Sequence, residues 1–255
     1  MRDVQKIDKA RLFGVRKTSE YDNASARYVF TPLSRVLSLI IVRLPITPNQ
    51  LTIFWGLLMI ISSVLLMFGD RMLSTIGGIG WVIAYALDYS DGDIARYKDM
   101  RSNRGDYQDH VNHRATYPLL MFCAGFGVWF SGGAGLLDIP VDPVAYLILG
   151  FTAGLGMVII VDLGPIYNKC CPEAALEDNK GMAAVEGKHF RNQRLFRTIM
   201  NLCPLTFTNM KILLPIFAVL NLMSVFVIFY GIFYPLAAFA RYVMLYRMIP
   251  GVIKK

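Results

Sequence analysis

The chain has 255 residues, of which 55% are hydrophobic and 17% are charged. Soluble domains average about 45–50% apolar and about 25% charged residues, so this composition excludes an ordinary soluble domain and favours a membrane protein. The formal net charge of +8 does not indicate nucleic-acid binding, because the Lys and Arg residues fall in the N-terminal arm and in loops between apolar runs. We therefore expect the lipid bilayer, with its anionic headgroups, as a partner, and no nucleic acid.

Residues 1–44 are predicted to form a cytoplasmic arm and a helix that lies in the membrane interface. Apolar residues recur at helical spacing within 24–44, but Arg35 falls in the middle of that stretch. An arginine there argues against a membrane span and for an amphipathic helix at the membrane surface. The next residues favour a new helix, with Thr47 as its N-cap and Pro48 in its first turn.

Residues 45–255 are predicted to form one all-α, polytopic integral membrane domain with six transmembrane helices. Apolar runs of about 20 residues are long enough to cross a bilayer. The predicted spans are 49–68, 73–97, 106–130, 142–168, 207–230 and 232–249. Lys and Arg concentrate in the second and fourth connections between these spans. The chain is therefore expected in the cytoplasmic membrane, with both termini facing the cytoplasm.

The main chemical signal lies in residues 88–113, DYSDGDIARYKDMRSNRGDYQDHVNH. Asp88 and Asp91 stand three residues apart and share a helix face, and Asp109 and His113 stand four apart and share another. Both pairs fall at the predicted cytoplasmic ends of spans, where ionisable groups indicate a functional site. Three carboxylates and an imidazole suit one or two hard divalent cations, which can also bind substrate phosphates.

Small residues and a cation accompany the carboxylates. A glycine inside a helix costs roughly 0.5–1 kcal/mol relative to alanine, so Gly92, with Ala95 nearby, favours a ligand that approaches the backbone. Arg96 adds a planar cation suited to phosphate. Asp93 and Asp106 fall off the metal-facing positions, and we expect them to be solvated or to cap helices.

The spacing D-x2-D-G-x2-A-R-x8-G-x3-D-x3, read from Asp88 to His113, resembles the signature of the CDP-alcohol phosphotransferase (CDP-alcohol phosphatidyltransferase) family. Seven of the eight signature positions match. The sequence TPNQLT before the first span, the six spans and the interfacial helix are similar to the family as well. The resemblance implies a membrane enzyme that transfers a phosphoalcohol unit from a CDP-linked donor to an alcohol acceptor, releases CMP and serves phospholipid synthesis. It also implies a homodimer.

The resemblance further implies roles for individual residues. Asp88, Asp91 and Asp109 would hold two metal ions, Mg²⁺ or Mn²⁺, beside the pyrophosphate of the donor. The residues implied in nucleotide or donor binding are Asn49, Thr52, Asp88, Gly92, Ala95, Arg96 and Gly105.

The last signature position departs from the family, because His113 stands where the family has an aspartate that serves as metal ligand and general base. An imidazole, with an ordinary pKa of about 6.5, can also act as a base or bind a metal. We therefore predict His113 as metal ligand and catalytic residue, with a bystander role left open. The loss of one carboxylate is expected to weaken the second Mg²⁺ site. The alternative function is a catalytically impaired relative or a non-enzymatic, divalent-cation-binding membrane protein.

A basic stretch before the fifth span allows two interpretations. Arg191, Arg194 and Arg197 either set the topology and contact lipid headgroups, or form a pocket for an acceptor phosphate. The sequence does not select between a phosphoalcohol and a phosphonate in the donor, because the signature concerns the shared CMP half.

Overall fold

A computed structural model describes residues 8, 12–13, 26–137, 139–172 and 206–249 of the chain. The regular structure of these described ranges is helical throughout, which confirms the all-α prediction. A π-helical turn, Ala26–Phe30, leads into the first helix. The helices are α1 (Thr31–Ile41), α2 (Pro48–Leu66), α3 (Arg71–Tyr97), α4 (Asn103–Phe130), α5 (Pro143–Cys170), α6 (Phe207–Val219) and α7 (Met223–Met248).

Three of the described helices, α2, α5 and α7, are long and apolar enough to cross a membrane. Helix α6 is also apolar but has 13 residues. Helices α3 and α4, with 27 and 28 residues, are long enough, but they carry the ionisable residues of the acidic stretch. The chain is thus an integral membrane protein, and the six-span topology stays a prediction.

The cytoplasmic site predicted from the sequence would lie where α2, α3 and α4 pack together. Helix α3 contacts α1, α2 and α6, whereas α4 contacts α2 and α5, and α7 packs on α5. Hydrogen bonds between these helices reach the core, where the indole N–H of Trp81 donates to Ser63 Oγ at 2.9 Å. The two helices with most of the acidic residues are therefore held against one common neighbour, α2.

Side-chain caps set where the site helices begin. Thr47 caps α2, as predicted, because its Oγ1 accepts from the backbone N–H of Gln50 at 3.3 Å and its own N–H donates to Gln50 Oε1 at 2.9 Å. Ser102 caps α4 in a similar way, accepting from the N–H of Gly105 at 3.1 Å. Such caps satisfy helix-terminal N–H groups and fix the register of the residues that follow.

The predicted boundary between the fifth and sixth spans is wrong. Helix α6 ends at Val219 and α7 begins at Met223, with Asn221 between them at a φ of 55°. Asparagine tolerates this left-handed conformation better than most residues, so the chain turns there. Gly231, near the predicted break, lies inside α7, and a Cβ on it would come 2.6 Å from the Leu149 side chain of α5. That glycine permits a close helix contact and does not end a helix.

The predicted helix within 24–44 is present as α1 and the π-helical turn. Its buried face is mostly small and polar, with Ser34 and Ser38 against the rest of the protein, whereas Val36 and Ile40 are exposed. The exposed apolar residues are compatible with contact to lipid. The location of α1 in the membrane interface stays a prediction.

Asp93 is buried, which contradicts the expectation that it is solvated. Its side chain lies on the face of α3 that packs on α1, where it accepts from Ser38 Oγ at 3.3 Å. The Arg96 guanidinium donates to the other carboxylate oxygen at 2.5 Å. A buried carboxylate needs such partners to offset the loss of hydration. Asp106 is exposed in the first turn of α4, as expected.

Candidate metal and nucleotide site

A cavity of about 640 Å³ opens between α2, α3 and α4. The residues predicted from the sequence for metal or nucleotide binding all line this one cavity. They are Asn49, Thr52, Asp88, Asp91, Gly92, Ala95, Arg96, Gly105, Asp109 and His113. Three different helices thus bring the predicted residues together.

Three side chains in the cavity form a group that could hold a metal ion. Asp88, Asp109 and His113 each offer one ligand atom, and these atoms lie within 4.8 Å of one another. The Nε2 atom of His113 is 3.4 Å from Asp88 Oδ2 and 3.3 Å from Asp109 Oδ1. Carboxylate oxygens and a neutral imidazole are accepted ligands for Mn²⁺ and related divalent ions. The donor set therefore fits the metal that the family implies.

Asp91 lines the same cavity but is held by α2. Its Oδ2 atom accepts two hydrogen bonds, from Thr52 Oγ1 at 2.8 Å and from the Trp55 indole N–H at 2.7 Å. Thr52, predicted for nucleotide binding, thus contacts a predicted metal ligand in the structure. Trp55 was not predicted, although it stands three residues after Thr52 and shares its helix face.

Arg96 is anchored by its ion pair with the buried Asp93 while it lines the cavity. The Arg96 side chain is 18% exposed, so most of it is packed into the wall of the cavity. Arginine offers five N–H donors, and a single carboxylate does not use them all. Binding of a donor phosphate by the remaining N–H groups is compatible with this position.

Two glycines of the signature serve different purposes. A Cβ on Gly105 would come 2.9 Å from Asn49 Oδ1, so the start of α4 can approach α2 because position 105 has no side chain. A Cβ on Gly92 would instead meet the Arg96 side chain at an ordinary 3.5 Å. Packing within the described protein does not require glycine at position 92, and its missing side chain enlarges the cavity.

Aromatic rings surround His113. The ring centroids of Trp55 and Tyr117 each lie 5.1 Å from that of the imidazole. The Nδ1 atom of His113 is buried and makes no hydrogen bond to any described residue. The ring is therefore oriented by packing on Trp55 and Tyr117, with Nε2 directed at the two carboxylates.

A buried lysine supports Tyr117 from α6. Lys211 is fully buried, its Nζ donates to the Tyr117 hydroxyl at 2.9 Å, and it lies 3.1 Å from the centroid of the Tyr85 ring. Lys211 was not predicted as a residue of the site. The sequence does contain a signal for it: Lys211 stands alone inside an apolar run, and an ionisable residue in a membrane helix needs partners.

Lys98 ties the end of α3 to the connection that precedes α2. Its Nζ donates to the backbone carbonyls of Leu44 at 3.1 Å and Ile46 at 2.8 Å. Partial burial lowers the pKa of the Lys98 ammonium. This contact holds the N-terminal end of α2 beside the cavity.

Arg191, Arg194 and Arg197 are outside the described residues, so their proposed roles stay predictions. His110 is exposed, with Nδ1 2.7 Å from the carbonyl oxygen of Asp106.

The model of the CDP-alcohol phosphatidyltransferase family matches residues 45–164. Over these residues, a little under half of the chain, the sequence is similar to this family. The matched stretch contains α2, α3, α4 and most of α5, and with them every residue of the cavity named above. The family comprises membrane transferases of phospholipid synthesis that use CDP-linked donors, alcohol acceptors and, in general, divalent metals. A comparison with curated proteins finds no match.

Proposed function

We propose that this protein is a CDP-alcohol phosphatidyltransferase. It moves a phosphoalcohol unit, or a related phosphonate, from a CDP-linked donor to the hydroxyl group of an alcohol acceptor and releases CMP. The convergence of the signature residues of α3 and α4 with Asn49 and Thr52 of α2 on one cavity carries the proposal. A cavity of about 640 Å³ falls in the range of roughly 300–1,000 Å³ that is usual for ligand sites.

The metal site is proposed to contain Asp88, Asp91, Asp109 and His113, with Mg²⁺ or Mn²⁺ as the ion and two ions in the complete site. Bound ions would neutralise the developing charge on the donor pyrophosphate and the departing CMP. Asp88, Asp109 and His113 are already close enough to share one ion, whereas Asp91 is positioned by Thr52 and Trp55.

The nucleotide is proposed to lie along the wall made by Asn49, Gly92, Ala95 and Gly105. The open space at Gly92 supports this placement, because a side chain there would enter the cavity and not the protein core. Arg96, fixed by Asp93, would face the phosphates. Such prior fixation lowers the entropic cost of binding.

His113 is proposed to act on the acceptor. As the acceptor oxygen attacks the donor phosphorus, its proton would move to a neutral Nε2 of His113, while the bond from phosphorus to the CMP oxygen breaks. The same atom would bind a metal ion, since Nδ1 is buried. The roles of base and ligand thus compete for Nε2, and one imidazole cannot fill both at once.

Several further features belong to the proposal. The protein is proposed to lie in the cytoplasmic membrane as a homodimer, with both termini and the site facing the cytoplasm. Arg191, Arg194 and Arg197 are proposed to bind a phosphate of the acceptor. The basic character of the stretch supports this role.

The proposal is tested by CMP release from CDP-linked donors by the purified protein in lipid nanodiscs. Asp88→Ala, Asp91→Ala and Asp109→Ala should each abolish release and weaken divalent-ion binding, while circular dichroism shows intact helices. Asp99→Asn, which changes an exposed carboxylate of the α3–α4 connection, serves as the matched control and should retain activity. Near-normal turnover in one of the alanine variants would remove that residue from the metal site.

His113 also supports a second candidate, a divalent-cation-binding relative that lacks transferase activity. It replaces the aspartate of the signature, and its Nε2 lies within 3.4 Å of both carboxylates. Tight metal binding without CMP release from any tested donor would favour this candidate.

A further inference from the structure

Trp55 touches two members of the proposed metal site with two different parts of its side chain. The indole N–H donates to Asp91 Oδ2 at 2.7 Å, and the ring packs on His113 with centroids 5.1 Å apart and planes inclined by 30°. Trp55 itself is fully buried. A single rigid side chain of α2 thus connects a carboxylate of α3 with the imidazole of α4.

His113 needs an external restraint if its Nε2 atom is to stay between Asp88 and Asp109. A metal-ligating histidine is usually oriented by a hydrogen bond from its other ring nitrogen. His113 Nδ1 makes no such bond to the described residues. Contact with the rings of Trp55 and Tyr117 is the restraint that the described structure provides instead.

We propose that Trp55 is a positioning residue of the metal site, which orients His113 through its ring and Asp91 through its N–H. This inference rests on the proposed metal site. The orienting effect of the indole ring depends on the histidine at position 113, because an aspartate there would offer no ring for the indole to pack against.

The test measures Mn²⁺ affinity of the purified protein in nanodiscs, without donor or acceptor, by titration monitored with electron paramagnetic resonance. Trp55→Phe keeps a ring and removes the N–H, and it should weaken Mn²⁺ binding by about tenfold, the lower end of the usual effect of residues that orient ligands. Trp55→Leu removes the ring as well and should weaken binding further. Trp81→Phe, which also removes an N–H from a fully buried tryptophan, is the matched control and should bind Mn²⁺ as the unmodified protein does.

The two parts of the side chain are separated in a second background, His113→Asp. In that background, Trp55→Phe should still weaken Mn²⁺ binding, because Asp91 still loses a hydrogen-bond donor. Trp55→Leu and Trp55→Phe should then bind Mn²⁺ equally well, since no imidazole is left to orient. Incorporation of 3-benzothienylalanine at position 55, which replaces the N–H by sulfur in a ring of the same shape, tests the loss of the N–H if Trp55→Phe does not fold.

The Mn²⁺ titrations separately test the positioning role of Trp55, the contact of its ring with His113 and the proposed metal site. Unchanged Mn²⁺ affinity in Trp55→Phe and in the benzothienyl protein, or an equal loss in Trp81→Phe, would overturn the positioning role. A phenylalanine-to-leucine step of the same size in the His113→Asp background would overturn the assignment of the ring to His113. Failure of the unmodified protein to bind Mn²⁺ would overturn the proposed metal site itself, and the inference with it. Absence of CMP release would contradict the transferase proposal alone.

Discussion

At the scale of single residues, the histidine at position 113 changes both the charge and the ligand atoms of the group that it forms with Asp88 and Asp109. An imidazole in place of a carboxylate removes one negative charge and offers nitrogen, a softer ligand that suits Mn²⁺ better than Mg²⁺. The structure places this nitrogen within 3.4 Å of Asp88 and Asp109. Metal preference is therefore the property in which this chain is expected to differ from relatives with the complete signature.

Substitution at His113 should change metal preference in a defined order. His113→Asp restores the carboxylate, so Mg²⁺ should bind more tightly and the ratio of Mn²⁺ to Mg²⁺ affinity should fall. His113→Ala removes the ligand, and both ions should bind more weakly. Calorimetric titration with each ion, at one pH and ionic strength, checks this order. Equal affinities in the three proteins would make His113 a bystander.

Lys211 and Tyr117 form a buried polar pair whose members should depend on each other. Lys211→Met leaves the Tyr117 hydroxyl without its described donor, and Tyr117→Phe leaves the Lys211 amino group without its acceptor. An unsatisfied buried polar group costs about 1–3 kcal/mol. The double variant leaves neither group behind, so it should lose less stability than the sum of the two single variants. Reversible unfolding in detergent gives the three values, and strict additivity would show that the pair is not coupled.

At the scale of helices, the sequence predicted the acidic face better than the helix ends. Asp88, Asp91, Asp109 and His113 follow helical spacing, which depends on local geometry alone, and the structure brings them to one cavity. The turn at Asn221 was missed because apolar residues flank it on both sides and hydropathy is nearly continuous there.

Contacts between helices could not be predicted either, because they depend on which faces meet in space. Asp93 is five residues from Asp88 in the same acidic run, and its burial against α1 follows from the packing of α1 on α3. Trp55 and Lys211 belong to apolar helices. Trp55 of α2 contacts Asp91 of α3 and His113 of α4, and Lys211 of α6 contacts Tyr117 of α4. Sequence spacing contains no information on these distances.

Helix α5 contains two glycines that should respond differently to the same substitution. A Cβ on Gly156 would come 2.7 Å from the backbone of Tyr234 and 2.8 Å from that of Pro235 in α7, whereas a Cβ on Gly164 would meet only the end of the Arg241 side chain, at 3.1 Å. Backbone cannot move aside as a flexible side chain can. Gly156→Ala should therefore lower the unfolding temperature, and Gly164→Ala should leave it nearly unchanged. Equal unfolding temperatures of the two variants would contradict this contact between α5 and α7.

At the scale of the whole molecule, exposed apolar side chains occur on most of the described long helices, whereas the acidic residues of the proposed site gather in one cavity. Helices α2, α5 and α7 present large apolar side chains outward, such as Phe54, Phe151 and Phe239, each more than half exposed. Helices α3 and α4 carry the acidic residues Asp88, Asp91 and Asp109 on faces that meet in the cavity. Apolar side chains can thus face lipid while the acidic groups of α3 and α4 remain in contact with protein and water.

The basic residues of the connections predict the orientation of this arrangement across the membrane. Lys98, Arg101 and Arg104 surround the connection from α3 to α4, and such residues stay on the cytoplasmic side. With the four native cysteines replaced, Asn103→Cys should react with a membrane-impermeant thiol reagent from the cytoplasmic side only. Ala134→Cys, an exposed position in the connection from α4 to α5, is the matched control and should react from the opposite side only. The reverse pattern would place the cavity away from cytosolic nucleotide donors. Reaction of both cysteines from one side would show that α4 does not cross the membrane.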